Sequence, residues 1–147
     1  MDEFIKFLDN DLKYLTHNII EDTVYIYVAS TREEVQCPYC GHMSSYTHST
    51  YERSFHDLPI QGKKVKITIN NRKMFCNNPD CDHTTFAERF SWLAYKSKKT
   101  QRLEDEIVHL SLNCSSIAAA RILSKNTVAV GKSTVCNLLK KRKTCSK

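Results

Sequence analysis

Cys37 and Cys40 are separated by Pro38-Tyr39, and Cys76 and Cys81 enclose Asn77-Asn-Pro-Asp80. Thiolates bind metal ions strongly once deprotonated, and two of them flanking a tight turn converge on one point. Pro38 and Gly41 supply the first turn, and the Asn-Asn-Pro-Asp insert supplies the second. Two such knuckles brought together give tetrahedral four-sulfur ligation, the closed arrangement of structural zinc. The candidate cofactor is therefore Zn2+, with Cys37, Cys40, Cys76 and Cys81 as its ligands. Closing the loop from Cys40 to Cys76 costs roughly 3 kcal/mol. Structural zinc in small fingers contributes on the order of 10–16 kcal/mol, so the metal outweighs that cost. A closed site leaves no coordination position for substrate.

Other uses of these thiols fit less well. A redox dithiol would open a helix, whereas Cys37 and Cys40 lie among strand-forming residues and a second pair follows. His42 or His83 in place of one sulfur stays an open alternative, while His48 and His56 read as strand residues. Cys114, Cys136 and Cys145 have no partner at ligand spacing and read as plain thiols. Gly131-Lys-Ser133 matches the end of a phosphate-binding loop, but Asn126 stands where that loop needs its first glycine.

The elements that must position the cysteines follow from periodicity. Phe4, Ile5, Leu8, Leu12 and Leu15 recur at three- and four-residue intervals, which predicts a short amphipathic helix. Thr23 to Val28 is β-branched and aromatic and predicts a strand. Tyr51 to Leu58 and Lys63 to Ile69 flank Pro59-Ile-Gln-Gly62 and predict a hairpin, the second strand alternating strictly. Arg72 to Phe75 predicts a short strand leading into Cys76. Character then changes. Thr100 to Leu112, Ser116 to Leu123 and Lys132 to Lys141 predict three helices, with Ser115 or Ser116 capping the second. The expected fold class is α+β: a small zinc-ribbon-like β domain with a four-cysteine zinc site, then a three-helix helix-turn-helix domain. The expected boundaries are 1–90 for the N-terminal helix and β domain, 91–99 for a linker, and 100–147 for the helical domain with a basic tail.

Composition narrows the partners. The 147 residues suffice for one compact domain or two small ones, and 41% are hydrophobic, which argues against wholesale disorder. No run of about 18 apolar residues exists to span a membrane, and the N-terminus lacks the pattern of a secretory signal. The chain therefore reads as cytoplasmic, where seven cysteines point to metal rather than disulfides. Residues 1–36 carry eight acids against three bases, and the remainder nineteen bases against eight acids. A basic body of this kind suits a polyanionic partner. In a helix-turn-helix the third predicted helix would enter the major groove of double-stranded DNA. Val135, Leu138 and Leu139 would face inward, leaving Lys132, Ser133, Thr134 and Asn137 toward base edges. Lys140, Lys141, Arg142 and Lys143 would contact phosphate.

Five stretches carry a resemblance: Cys37-Pro-Tyr-Cys-Gly41, Arg53-Ser-Phe-His-Asp-Leu-Pro-Ile-Gln-Gly62, Arg72-Lys-Met-Phe-Cys-Asn-Asn-Pro-Asp-Cys81, Thr85-Phe-Ala-Glu88 and Gly131-Lys-Ser-Thr-Val135. In this order the chain resembles the N-terminal region of ISL-three-type insertion-sequence transposases. The resemblance implies recognition of the terminal inverted repeats of a transposon, with strand transfer left to a downstream Asp-Asp-Glu domain. Glu104, Asp105 and Glu106 are adjacent on one predicted helix and cannot supply three separated metal ligands. The expectation is thus a truncated, nucleoid-associated DNA-binding protein without catalytic residues, with full-length transposase or a second copy as further partners. The alternatives are a zinc-stabilised protein-interaction or transcription-regulator module, whose acidic first third would dock a basic partner, and a thiol enzyme.

Overall fold

The alternating residues 63–69 open a longer strand, 63–75, that pairs with three other strands. The computed structural model describes residues 1–145, without the side chains of Asn126 and of residues 143–145. The expected roles of Lys143 and Cys145 fall on side chains outside those described, and the end of the basic tail lies outside the described residues. In chain order the elements are α1 (Asp2–Lys6), β1 (Leu12–Ile20), β2 (Thr23–Ser30), β3 (Val35–Gln36), β4 (Met43–Ser44), β5 (Thr47–Ile60) and β6 (Lys63–Phe75). They continue with β7 (Thr85–Ala87), α2 (Gln101–Asn113), α3 (Ser116–Asn126) and α4 (Lys132–Cys145).

β5 runs antiparallel to β6 along almost its whole length. The other edge of β6 is shared: β2 lies parallel to residues 64–69, and β7 lies antiparallel to residues 73–75. β1 completes the sheet beside β2, giving the order β1-β2-β6-β5. Because side chains alternate across a strand, one face collects Val24, Ile26, Val28, Val65, Ile67, Ile69 and Phe55. Ile5, Leu12, Phe90, Trp92 and Leu93 close over that face. Each such burial stabilises by about 1.5–3 kcal/mol. The β5–β6 turn places both Gln61 and Gly62 at positive φ, 50° and 77°, the two-residue I′ geometry whose twist suits a hairpin. Both strands are longer than periodicity predicted, so the stretch Arg72–Phe75 continues β6. Pro59 falls within a register shift between Asp57 and Ile60, where the ladder does not need its missing N–H.

Two expectations change. The predicted N-terminal helix reaches only Lys6, and Leu12 and Leu15 lie in β1. Asp9 breaks the helix by accepting the N–H of Asp11 on its carboxylate at 2.8 Å, after which the backbone pairs with β2. The segment 91–99, expected as a linker, is docked on the sheet. Trp92 and Leu93 are buried, and the Trp92 indole N–H donates to Asp9 at 2.8 Å. His56 N–H donates to Lys98 O at 2.8 Å, and Thr100 N–H donates to His56 O at 3.0 Å, so this segment extends the sheet beyond β5.

The three helices after Thr100 pack on one another around Leu103, Ile107, Ala119, Leu123, Val128 and Val135. Thr100 caps α2 and Ser115 caps α3, each accepting the N–H three residues on. No described helix is long and apolar enough to cross a membrane. Helices and sheet meet at Asp57-Leu58. Leu58 packs against the helical core, and the buried Asp57 carboxylate accepts from Thr100 Oγ1 at 2.8 Å and from Arg102 Nε at 2.7 Å, with Arg102 Nη2 on its second oxygen. Removing the carboxylate strands a buried hydroxyl and a half-buried guanidinium. Asp57→Ala is therefore expected to lower the stability of the joined unit by about 2–4 kcal/mol in urea titration. A change below about 0.5 kcal/mol would mean that this pair does not couple sheet and helices.

Candidate metal centre

β6 leads into Cys76 at the end of the long β5–β6 hairpin, beside a small apolar cluster separate from the main core. β3 and β4 form a small hairpin that holds Cys37 and Cys40 in its turn, where Cys37 N–H donates to His42 O at 2.8 Å and Gly41 N–H donates to Cys37 O at 2.9 Å. Gly41 sits at φ 80°, a conformation that side-chain-bearing residues rarely adopt. The second turn joins β6 to β7. Cys76 N–H donates to Thr84 O at 2.9 Å, Cys81 N–H donates to Asn78 O at 3.1 Å, and Asn78 Oδ1 accepts the Asp80 N–H at 3.0 Å. That side-chain turn is what the Asn-Asn-Pro-Asp composition predicts.

These turns bring the four sulfurs together. All lie within 4.8 Å of one another, with Cys40 Sγ to Cys76 Sγ at 3.5 Å and Cys37 Sγ to Cys81 Sγ at 4.0 Å. Tetrahedral ligation with Zn–S bonds of about 2.3 Å separates sulfurs by roughly 3.8 Å. The spacing brackets that value, so the donor set fits Zn2+. His42 and His83 are not among the grouped ligands. His83 instead stacks on Tyr39 with 3.5 Å between ring centroids, joining the outer surfaces of the two knuckles.

Protonation points the same way. The His42 backbone N–H, opposed by burial and helped by Asn78 and the neighbouring thiols, lowers the Cys40 thiol to about 6. At Cys76 the Asn78 N–H favours the thiolate, but burial and the Cys40, Cys37 and Cys81 sulfurs outweigh it and push the thiol up to about 12. Cys81 is also raised, although the His83 N–H pulls it down. Thiols this close cannot all ionise unless a cation shares the charge. Among the described residues, the apolar side chains buried against them are Val35, Met74 and Phe86, packed with Cys37 itself. Three apolar side chains at about 1.5–3 kcal/mol each contribute little toward ordering two turns whose backbone costs about 1–2 kcal/mol per residue. A bound Zn2+ supplies the missing crosslink.

A second group of charges braces the knuckles against the sheet. Glu88, at the end of β7, is 1% exposed and accepts from Arg72 at 3.1 and 3.0 Å and from Ser30 Oγ at 2.7 Å. Arg32 approaches the same carboxylate at 3.7 Å and also reaches Asp9 and Asp11. Residue types alone did not reveal this role. The only hint was that Arg72 and Glu88 stand in motif stretches without an assigned task.

The candidate DNA-contacting residues all lie on α4, which begins at Lys132. Val135 is buried against the other helices, Thr134 is half-buried, and Lys132, Ser133, Asn137 and Lys140 are exposed. Lys141 and Arg142 lean back on α2, where Lys141 Nζ lies 3.6 Å from Glu104 and Arg142 pairs with Asp105. Cys114 donates to Leu110 O at 3.3 Å and Cys136 to Ser116 Oγ at 3.6 Å, both away from the sulfur cluster.

Chelation of metal-loaded protein is expected to collapse the amide dispersion of the two knuckles while the β1-β2-β6-β5 core persists, as read by two-dimensional NMR. Because Cys76 and Cys81 are protonated at pH 7 without the ion, zinc binding must expel at least their protons, and affinity must rise with pH. Calorimetry in buffers of different ionisation enthalpy measures this release. Binding without proton release would contradict the four-thiolate site.

Known proteins share this part of the chain. Residues 33–81 match the zinc-finger of transposase IS204/IS1001/IS1096/IS1165. The transposase for insertion sequence element IS1001 of Bordetella parapertussis is 29% identical over 99 residues, 67% of this chain and 24% of that protein. The chain thus matches about a quarter of the length of that curated relative. No solved structure matches. The matched segment contains all four cysteines, and its likeness is to an insertion-sequence transposase zinc finger that fits Zn2+.

Proposed function

We propose that this chain is a DNA-recognition module of an insertion-sequence transposase that binds the terminal inverted repeats of its element. Cys37, Cys40, Cys76 and Cys81 hold Zn2+, and α3, the turn at 127–131 and α4 act as the helix-turn-helix. The observation that carries the reading is the two-sided character of α4. Val135 is fully buried against α2 and α3, while Lys132, Ser133 and Asn137 project from the first turns on the open side. Small residues allow the crossing, since Ala119 is fully buried in the same core. Residues 100–147 carry nine bases against three acids, a balance suited to a phosphate backbone.

In this reading Lys132, Ser133, Thr134 and Asn137 meet base edges, and Lys140 meets phosphate. Lys141 and Arg142 must exchange Glu104 and Asp105 for phosphate, so they contribute less than their charge suggests. The domain reading is 1–90, 91–99 and 100–147 with the middle segment as a docked strap. Strand transfer belongs to other parts of a transposase, since this region offers a closed metal site and a helical reader.

Fluorescence anisotropy on labelled end-repeat and scrambled duplexes across a salt series tests the reading. Asn137→Ala is expected to cost about 1–3 kcal/mol on the repeat and little on scrambled DNA. Lys132→Ala is expected to weaken both and to lower the salt slope by about 1. Affinity indifferent to both salt and sequence would sink the proposal. A stable protein complex formed in place of DNA binding would favour a protein-interaction module.

A further inference from the structure

Beside the metal centre, between β5 and the strap that follows β7, lies an open cleft of about 520 Å³. Tyr51, Arg53, Arg89, Leu93, Tyr95 and Lys96 line it. None of them belongs to the sulfur cluster or to α4. Its walls combine two features that surfaces normally keep apart. Tyr95 is 61% exposed and Tyr51 44% exposed, so large ring faces stand in water. Cations are held over the Tyr95 face: the Arg89 guanidinium lies 4.6 Å from the ring centroid, and Lys96 Nζ lies 5.4 Å from it. Arg89 also reaches Tyr39 of the first knuckle, 5.5 Å from that ring and 3.4 Å from its hydroxyl.

The cleft is braced by Arg53, and no carboxylate among the described residues compensates its Arg89 and Lys96. Arg53 donates to Ala94 O at 3.4 Å and Ser97 O at 3.0 Å, which fixes the strap against β5. The one carboxylate in the lining, Glu88, is buried and already neutralised by Arg72. Among the described residues, no carboxylate pairs with Arg89 or Lys96. An acidic peptide would satisfy the cations and leave the rings without a stacked partner. Duplex DNA would offer phosphates but no free base face. Unpaired nucleotides offer both at once, a π-face for each ring and a phosphate for each cation.

We propose that this cleft binds a short unpaired stretch of DNA, its phosphates drawing Arg89 and Lys96 off the Tyr95 ring and its bases stacking on Tyr95 and Tyr51. The choice of DNA over RNA rests on the function proposed above; the single-strand chemistry does not. The volume is that of a small-ligand cleft, about 300–1,000 Å³, and suits nucleotides rather than a double helix. Because Arg89 leans on Tyr39, the ordered zinc knuckle forms part of the wall that positions it.

The test uses the full zinc-loaded chain with labelled oligo-dT, oligo-U and duplex DNA over a salt series, read by anisotropy. Tyr95→Ala is expected to weaken oligo-dT binding about 5- to 100-fold, and Tyr95→Phe to restore it, since only the ring is needed. Arg89→Ala or Lys96→Ala is expected to lower the single-strand salt slope by about 0.7. Duplex affinity should stay within about twofold in these variants and fall in Lys132→Ala, so the cleft and α4 are judged separately. Zinc content and circular dichroism verify folding, and Arg89→Ala decides the matter if Tyr95→Ala does not fold. Oligo-dT affinity unchanged in both Tyr95→Ala and Arg89→Ala would overturn the proposal. So would oligo-U binding more tightly than oligo-dT, or poly-glutamate displacing oligo-dT from all variants alike.

Discussion

Four sulfurs from two turns, 36 residues apart in the nearest contact, must occupy one small volume before the outer half of the molecule has any reason to be ordered. The main sheet has an ordinary apolar face and stands on it. The knuckles have far less, since among the described residues the apolar side chains buried against them are Val35, Met74 and Phe86. The neighbouring sulfurs favour a thiolate at Cys40 and disfavour one at Cys76, so four thiolates together call for a divalent cation that shares their charge. Everything fastened to the outer knuckle surface inherits that dependence, including the Tyr39–His83 stack and the position of Arg89.

Two buried carboxylates then decide how the parts are oriented. Glu88 binds Arg72, tying β7 to β6 at the base of the knuckles, and Arg32 extends the network to Asp9 and the N-terminus. Asp57 binds Arg102 and Thr100, tying β5 to the start of α2. Such pairs contribute little net stability compared with well-packed apolar residues, but breaking either leaves an uncompensated buried group. Their value is directional. They hold metal centre, sheet and helices in one relation.

The proposed reader helix shows the opposite tendency. Its basic end is partly neutralised by α2, and its polar first turns are left open. Phosphate contacts there must compete with Glu104 and Asp105, which favours tight, well-matched sites over casual binding to any polyanion. In the cleft the balance differs, because the only lining carboxylate is spent on Arg72 and the cations are left to the rings.

Short-range chemistry was legible in the residues. The cysteine spacing with Pro38, Gly41 and the Asn-Asn-Pro-Asp insert encodes two turns within a few positions, and turn geometry is local. The alternation of Lys63 to Ile69 and the caps at Thr100 and Ser115 are equally local, so strand and helix starts followed from them. Periodicity failed at Leu12 and Leu15, where helical spacing competed with strand pairing and the partner strand β2 prevailed. At 91–99 the lysines gave no sign of the packing of Trp92 and Leu93, because only the folded sheet presents a face that these side chains can complete. Which acid meets which arginine, and that Arg89, Tyr95 and Tyr51 border one cleft, depends on chain segments 16 to 45 residues apart. Residue types state what a side chain can do. The tertiary structure decides what it can reach.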